Sequence, residues 1–175
     1  ISVVMNCYNG EKYLDKSIKS VLGQTYKNWE LIFWDNNSSD NSYKIFKKFK
    51  DKRLKYFRSK SYQKLYQARN EAIKKCKGQY ITFIDTDDWW LKTKLKKQVY
   101  SLKKHKDYKI IYSNWFVYNE IKKTKKIFNT TGLPFGKISQ QLLNNYELNI
   151  GTMMLKRDLF TKYKFNVSYE IIGDF

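Results

Sequence analysis

Four times in the first hundred residues, a short β-branched or aromatic run gives way to a longer stretch whose apolar residues recur every three or four positions. The runs are Ile1–Cys7, Glu30–Trp34, Leu54–Arg58 and Tyr80–Ile84. Each reads as a buried strand, too short for a helix and closed by turn formers. Between them, Leu14, Ile18, Val21 and Leu22 stripe a helix over Glu11–Gln24. A lysine-rich helix follows at Ser42–Phe49, and Leu65, Ala68, Ala72 and Cys76 line a third, which Gly78 is expected to end. Leu91, Leu95, Val99 and Leu102 give a fourth. Strands alternating with helices of this length can join in sequence only through crossovers, which predicts an α/β domain with a mostly parallel sheet flanked by helices. Such sheets bind ligands outside the carboxyl ends of their strands, which directs attention to the loops Asn6–Gly10, Asp35–Asp40 and Asp85–Trp90.

The rhythm changes after Leu102. A strand at Lys109–Ser113 precedes two polar-flanked runs, Trp115–Tyr118 and Lys125–Phe128, that predict a β-hairpin around Lys122–Thr124. A short helix at Ser139–Asn145, a strand at Gly151–Leu155 and a helix at Arg157–Tyr163 complete the expectation. The 175 residues suit one domain with one core. No apolar run approaches the ~18 residues that a membrane span needs. Cys7 and Cys76 form neither a C-x-x-C pair nor a disulfide framework, and a reducing compartment fits them.

With 35 basic against 16 acidic residues the chain carries +19, which implies attraction to phosphates or anionic surfaces. Only four of the basic residues are arginine (Arg53, Arg58, Arg69, Arg157), whereas base and phosphate readers favour the guanidinium fork. Most lysines are spread around the chain, several of them in pairs and often on outer helix faces, so a solvated surface explains them, with a residual pull toward anionic membrane. Against that excess, Asp85, Asp87 and Asp88 place three carboxylates in four residues just after a buried strand. Hard oxygens of this kind suit Mn2+ or Mg2+, typically held by one or two carboxylates with substrate phosphates completing the shell. The competing explanation is an Asp-rich turn that caps the helix beginning near Leu91.

Five stretches together resemble the nucleotide-binding half of a family-two glycosyltransferase with the GT-A fold. They are Ile1–Asn9, Ser20–Tyr26, Trp29–Asp40, Ala68-Arg69-Asn70 and Gly78–Asp88, in the family's order and spacing. The resemblance implies a single GT-A catalytic domain over 1–175: a Rossmann-like nucleotide-binding half at 1–102 and an acceptor-side half at 103–175, incomplete at its C-terminus. It also implies that Asn6 and Tyr8 hold the nucleotide base, the Tyr8 ring stacking on it, and that Arg69 lies near the nucleotide. Asp35-Asn36 matches a pair of family aspartates, the second of which contacts the pyrimidine. An amide at that second position keeps an acceptor and adds donors. Asp85 and Asp87 match the DxD pair, Asp85 near the ribose and Asp87 at the metal, with Asp88 sharing the metal. Gly173-Asp174 resembles a Glu-Asp pair whose aspartate is the catalytic base, which makes Asp174 the candidate, with Glu147, Glu170 or a residue beyond Phe175 as alternatives.

A chain with this resemblance is expected to be an inverting, Mn2+- or Mg2+-dependent transferase. It would move a sugar from a nucleoside diphosphate donor, a UDP-sugar favoured, to a hydroxyl of a glycan or lipid-linked acceptor. Bacterial surface glycan synthesis is the family's common outcome, at a cytoplasmic location peripheral to the inner face of the plasma membrane, and no nucleic acid is expected. Two other classes compete. A sugar nucleotidyltransferase would need a glycine-rich first loop, where this chain has only Gly10. A basic nucleic-acid-binding module has the charge and the aromatic content, but lacks an RRM, KH or zinc pattern.

Overall fold

The computed structural model describes residues 1–138, 140–141 and 148–168. The chain runs β1 (Ser2–Cys7), α1 (Glu11–Leu22), β2 (Glu30–Asp35), α2 (Ser42–Lys47), β3 (Leu54–Arg58), α3 (Leu65–Ile73), β4 (Tyr80–Phe83) and α4 (Lys94–Lys104). It continues through β5 (Ile110–Ile111), β6 (Phe116–Asn119), β7 (Thr124–Ile127), a 3-10 turn at Ile150–Thr152, β8 (Met154–Lys156) and α5 (Leu159–Lys162). Six strands form one sheet in the order β3-β2-β1-β4-β8-β5, and β6 with β7 forms a separate hairpin. The first four strands are parallel, and β8 enters antiparallel between β4 and β5. This is the expected mostly parallel α/β sheet with a small hairpin after the carboxylate turn.

Period-two alternation along the strands builds a core on each face. Val3, Met5, Cys7, Leu31 and Phe33 point to the side covered by Leu14, Ile18 and Val21 of α1 and by Leu95, Val99 and Leu102 of α4. Val4, Ile32, Trp34, Ile81 and Phe83 point to the other side, where Ala68 and Ala72 of α3 bury them. The helices therefore cover both faces, as a buried parallel sheet demands. The chain winds outward from β1 to β3 and then returns through α3 to β4 on the opposite flank of β1. That reversal makes the carboxyl ends of β1 and β4 the topological switch point.

Several local expectations change: the strand expected at Gly151–Leu155 starts only at Met154, because Ile150–Thr152 forms the 3-10 turn, and Cys76 lies past the end of α3. α4 begins at Lys94, and Leu91 is 62% exposed outside the helix, because the residues after β4 form turns before the helix starts. Gly78 does not terminate α3, which ends at Ile73. Its role is close approach: a Cβ there would lie 2.4 Å from the Ser2 nitrogen, and its N–H donates to Ser2 Oγ at 2.8 Å. Most of the helix expected at Ser139–Asn145 lies outside the described residues.

Candidate active site at the carboxyl ends of the strands

The loop after β1 and the loop after β2 are bound together by side chains that capture backbone groups. The amides of Asn9, Gly10 and Glu11 donate to Ser38 Oγ (3.1 Å), Ser42 Oγ (3.0 Å) and Asp40 Oδ2 (2.9 Å). In return, Asn9 Oδ1 accepts from the Ser39 amide and Glu11 Oε2 from the Asn41 amide, each at 2.9 Å. Burial alone would raise the Asp40 carboxyl, but hydrogen bonds from Ser42 and from the Glu11 amide hold it below its usual value. Gly10 then packs onto the third loop, where a Cβ would sit 2.8 Å from Thr86 Oγ1, so only glycine lets the two loops close to this distance. Ser17, on the buried face of α1, donates to the Asp85 carbonyl at 3.1 Å. One rigid frame thus holds the first turn, the second turn and the carboxylate turn.

Tyr8 stands at the rim with 53% of its surface exposed, and Tyr62 lies against it with ring centroids 4.6 Å apart. Asn6, beside Trp34 in the parallel register, is half-buried, and its Nδ2 is enclosed with no hydrogen-bond partner among the described residues. Asp35 is fully buried. Its Oδ1 accepts from the Ser38 amide (2.7 Å) and its Oδ2 from the Tyr56 hydroxyl (2.5 Å), so the carboxylate anchors the turn from beneath. Burial and then the hydrogen bond to Asp35 push the Tyr56 hydroxyl well above its ordinary pKa, which keeps it a donor. Asn36 is 5% exposed and pairs with a peptide: Nδ2 donates to the Gln63 carbonyl at 2.7 Å, and Oδ1 accepts from the Gln63 amide at 3.0 Å. The amide expected at the base therefore grips the loop that carries Tyr62 and Gln63. The Gln63 Oε1 is buried and makes no hydrogen bond among the described residues.

Arg69 is only 2% exposed, with its guanidinium 3.6 Å from Asp85 Oδ1 beneath the end of β4. It lies under Asp85 rather than on a surface. Beyond it, the Asp88 amide donates to the Asp85 carbonyl, and the resulting turn leaves Asp87 and Asp88 exposed. The 3-10 turn passes alongside, and a Cβ on Gly151 would come within 3.3 Å of Asp88 Oδ2. The helix-cap explanation of this cluster fails, since the N-cap of α4 is Thr93, five residues beyond Asp88. Among the described residues, no three His, Cys, Asp or Glu side chains converge on one point. This donor set does not fit a closed zinc-type centre. It fits an Mn2+ or Mg2+ ion that takes one or two protein carboxylates and completes its shell with diphosphate oxygens and water. Asp174, Glu170 and Glu147 lie outside the described residues.

The site therefore joins three groups seen in no single spacing of the sequence: Tyr8 with Asn6, the Asp85–Asp88 turn, and buried Arg69 beneath Asp85. Missed in the sequence were Tyr62, Tyr56, Gln63 and Ser17. Ser17 had a signal, because a serine on the apolar stripe of α1 must find a partner when buried. The other three are brought in by the tertiary fold.

A six-stranded, mostly parallel sheet with an antiparallel strand beside β4 and a carboxylate turn at its switch point defines the GT-A glycosyltransferase fold. The glycosyl transferase family 2 model matches residues 2–164, and the chain belongs to that family. It is 33% identical over 165 residues to WfgD of Escherichia coli, a UDP-Glc:alpha-D-GlcNAc-diphosphoundecaprenol beta-1,3-glucosyltransferase, covering 94% of this chain and 63% of that protein. It is 30% identical over 180 residues to the glycosyltransferase GlyG of Streptococcus pneumoniae serotype 4, covering 95% and 60%. The crystal structure of S. aureus TarS 1-349 with UDP-GlcNAc superimposes with a TM-score of 0.74 at 22% identity, over 91% of this chain and 46% of that one. The mannosyltransferase PcManGT from Pyrobaculum calidifontis, in complex with GDP-Man and Mn2+, gives 0.69 at 15% identity, over 92% and 45%. The chain thus spans about 63% of the length of WfgD, and under half of each of these two solved chains.

Proposed function

We propose that this chain carries the donor-binding and metal-binding part of an inverting glycosyltransferase, which moves a sugar from a UDP-sugar to a hydroxyl of a glycan or lipid-linked acceptor in bacterial surface glycan synthesis. The observation that carries it is the exposed Asp87-Asp88 pair in the turn after β4, a turn whose Thr86 packs against Gly10 at the switch point, close to Tyr8 just past the end of β1. The base lies on Tyr8. The free donor of Asn6 and the free acceptor of Gln63 have the opposite polarities that a pyrimidine edge requires. Asn36 acts on the base through the Gln63 loop, Arg69 orients Asp85 toward the ribose, and Asp87 with Asp88 holds Mn2+ or Mg2+. When bound, the ion supplies Lewis-acid neutralisation of the leaving diphosphate. An inverting displacement needs one carboxylate to take the acceptor proton on the far face, and Asp174 is the candidate by family resemblance.

The UDP-Glc donor of WfgD and the UDP-GlcNAc bound to TarS support a uridine donor, and the diphosphoundecaprenol acceptor of WfgD supports a lipid-linked one. Among the described residues no helix is long and apolar enough to cross a membrane. With the +19 charge this supports a cytoplasmic protein held peripherally at the inner face of the plasma membrane. The nucleotidyltransferase alternative loses ground. The first-loop amides it would need for a triphosphate cradle already donate to Ser38, Ser42 and Asp40.

Calorimetry of UDP and UDP-sugars in Mn2+ or Mg2+ and in EDTA tests the reading. We expect affinity at least about tenfold higher with metal, since the carboxylates otherwise repel the diphosphate, and we expect Asp87→Ala to abolish that difference. Equal affinity in metal and chelator would overturn the metal role. In the protein at its natural length, Asp174→Asn should leave donor binding intact and lower turnover roughly 10²- to 10⁴-fold. Turnover within a few-fold of the parent would pass the proton to another carboxylate.

A further inference from the structure

The β6–β7 hairpin is exposed along both strands, with Phe116 pairing Ile127 and Asn119 pairing Thr124. An isolated two-stranded ribbon is marginal in water, so this one needs attachments, and it has them at its base and at one side. Trp115 stacks on Phe128 with centroids 4.0 Å apart, and Asn114 Oδ1 accepts from the Trp115 and Asn129 amides. Glu120 takes the Tyr13 hydroxyl and pairs with Lys12 at 3.5 Å, which ties the turn to α1. Tyr118 meets Trp89 edge-on at 5.4 Å, and Lys16 lies 3.1 Å over the Trp89 ring. The ribbon is therefore fixed beside the carboxylate turn, with its own turn tied to α1 through Glu120 while Ile121 and the neighbouring lysines face solvent.

The turn end of the ribbon combines two properties that water disfavours together. Ile121, at the tip, is 93% exposed, while Val117 and Ile127, nearer the base and on opposite faces of the ribbon, are about half exposed. Around them stand Lys122, Lys123, Lys125 and Lys126, all exposed, while the carboxylate of Glu120 is already paired. Lys123 sits at φ 51, a left-handed turn position that glycine or asparagine would hold with less strain, so a cation is kept there at a conformational cost. An apolar tip ringed by lysines matches a surface whose interior is apolar and whose boundary is anionic. Nucleic acid fits less well. The hairpin has no arginine, and its ring faces are engaged: Phe128 by Trp115, Tyr118 by Trp89 and Phe116 by Lys125 at 5.1 Å, leaving little for bases to stack on.

We infer that the tip of the β6–β7 hairpin is a membrane-docking element that inserts Ile121 at the headgroup boundary of an anionic bilayer, with Lys122, Lys123, Lys125 and Lys126 on the lipid phosphates. Because Tyr118 packs on Trp89, docking sets the donor-binding face next to the bilayer, where a lipid-linked acceptor would present its sugar. The docking itself does not depend on the glycosyl-transfer reading.

Flotation with phosphatidylglycerol–phosphatidylcholine vesicles, and with phosphatidylcholine vesicles alone, tests it without any nucleotide, so failure here and failure of the transferase reading are seen separately. The parent should bind the anionic vesicles and not the neutral ones. Changing Lys122, Lys123, Lys125 and Lys126 together to Gln should weaken binding by roughly a hundredfold or more, and Ile121→Asp should weaken it with one charge changed. A control that changes Lys47, Lys48, Lys96 and Lys97 to Gln removes the same charge from the end of α2 and from α4 and should retain binding within a few-fold. Unchanged thermal midpoints would show that all three variants fold. Equal loss in the control would assign the effect to bulk charge and overturn the inference. So would the absence of vesicle binding, or binding of single-stranded RNA in its place through the same four lysines.

Discussion

Asn36 is the residue at which chemistry and geometry divide most clearly. Its amide could in principle read a base edge, yet both ends pair with the Gln63 peptide, a match that a carboxylate cannot make because it has no donor. Asn36→Asp would therefore leave the Gln63 carbonyl unsatisfied beside a negative charge. We expect a loss of about 1–3 kcal/mol in folding stability, together with weaker binding of every nucleotide tested as the loop carrying Tyr62 and Gln63 loosens. Urea denaturation and nucleotide titration would measure both. An unchanged midpoint with a reordered nucleotide preference would instead place the Asn36 side chain at the base. Asp35 teaches the same lesson. Nothing in its spacing shows that Tyr56, twenty-one residues on, will hold one oxygen from the next strand.

At the scale of the element, α4 carries a lysine among neutral groups. Lys94 Nζ donates to Gln98 Oε1 at 2.9 Å and Thr82 Oγ1 at 3.1 Å and lies 4.0 Å over the Trp90 ring, and burial pushes its pKa down to about 7. Thr82 and Gln98 in turn donate to the carbonyls of Met153 and Thr152, so the amine sits in a small network joining β4, α4 and the entry to β8. In the unfolded chain the same lysine titrates near 10.4. Between those values the unfolded state holds more protons, so stability should rise with pH above about 7. From about pH 9 the buried thiols and the Tyr56 hydroxyl act oppositely, because they stay neutral only in the fold. Thermal unfolding from pH 6.5 to 9 should thus show a rising midpoint in the parent and a flatter profile in Lys94→Met. Parallel profiles would show that the amine is charged throughout. The helical period placed Leu95, Val99 and Leu102 correctly on the buried face. It misplaced Leu91, because periodicity continues through a sequence whether or not the backbone has yet turned into a helix.

Across the whole molecule the two cysteines report on the two layers. Cys7 belongs to the core under α1 and α4, and Cys76 to the core under α3. Burial raises both thiols, pushing Cys76 up to about 12, so little thiolate forms near neutral pH. A thiol reagent at pH 8 should react with Cys76 of the native protein about a thousandfold more slowly than with an unstructured peptide, and with Cys7 more slowly as well. Denaturant should release both thiols in one transition if the sheet binds the layers into a single cooperative unit. Rapid labelling of one cysteine in the native state would show that its layer opens separately.

The sequence by itself determined the succession of strands and helices, the faces they bury and the loops that hold the chemistry, because hydrophobic period, turn formers and carboxylate clustering are local properties of the chain. Asp85, Asp87 and Asp88 stood out as a cluster for that reason, whereas Asn6 and Tyr8 entered only through the family resemblance. Only the tertiary structure decided that β1 lies between β2 and β4, and that Gly10 admits Thr86. It alone placed Arg69 beneath Asp85, turned Asn36 to Gln63 and stood a lysine-ringed hairpin beside the carboxylate turn. Those outcomes depend on contacts between residues far apart in the chain. Sheet order and close packing select them, and local pattern carries no record of which distant groups will meet.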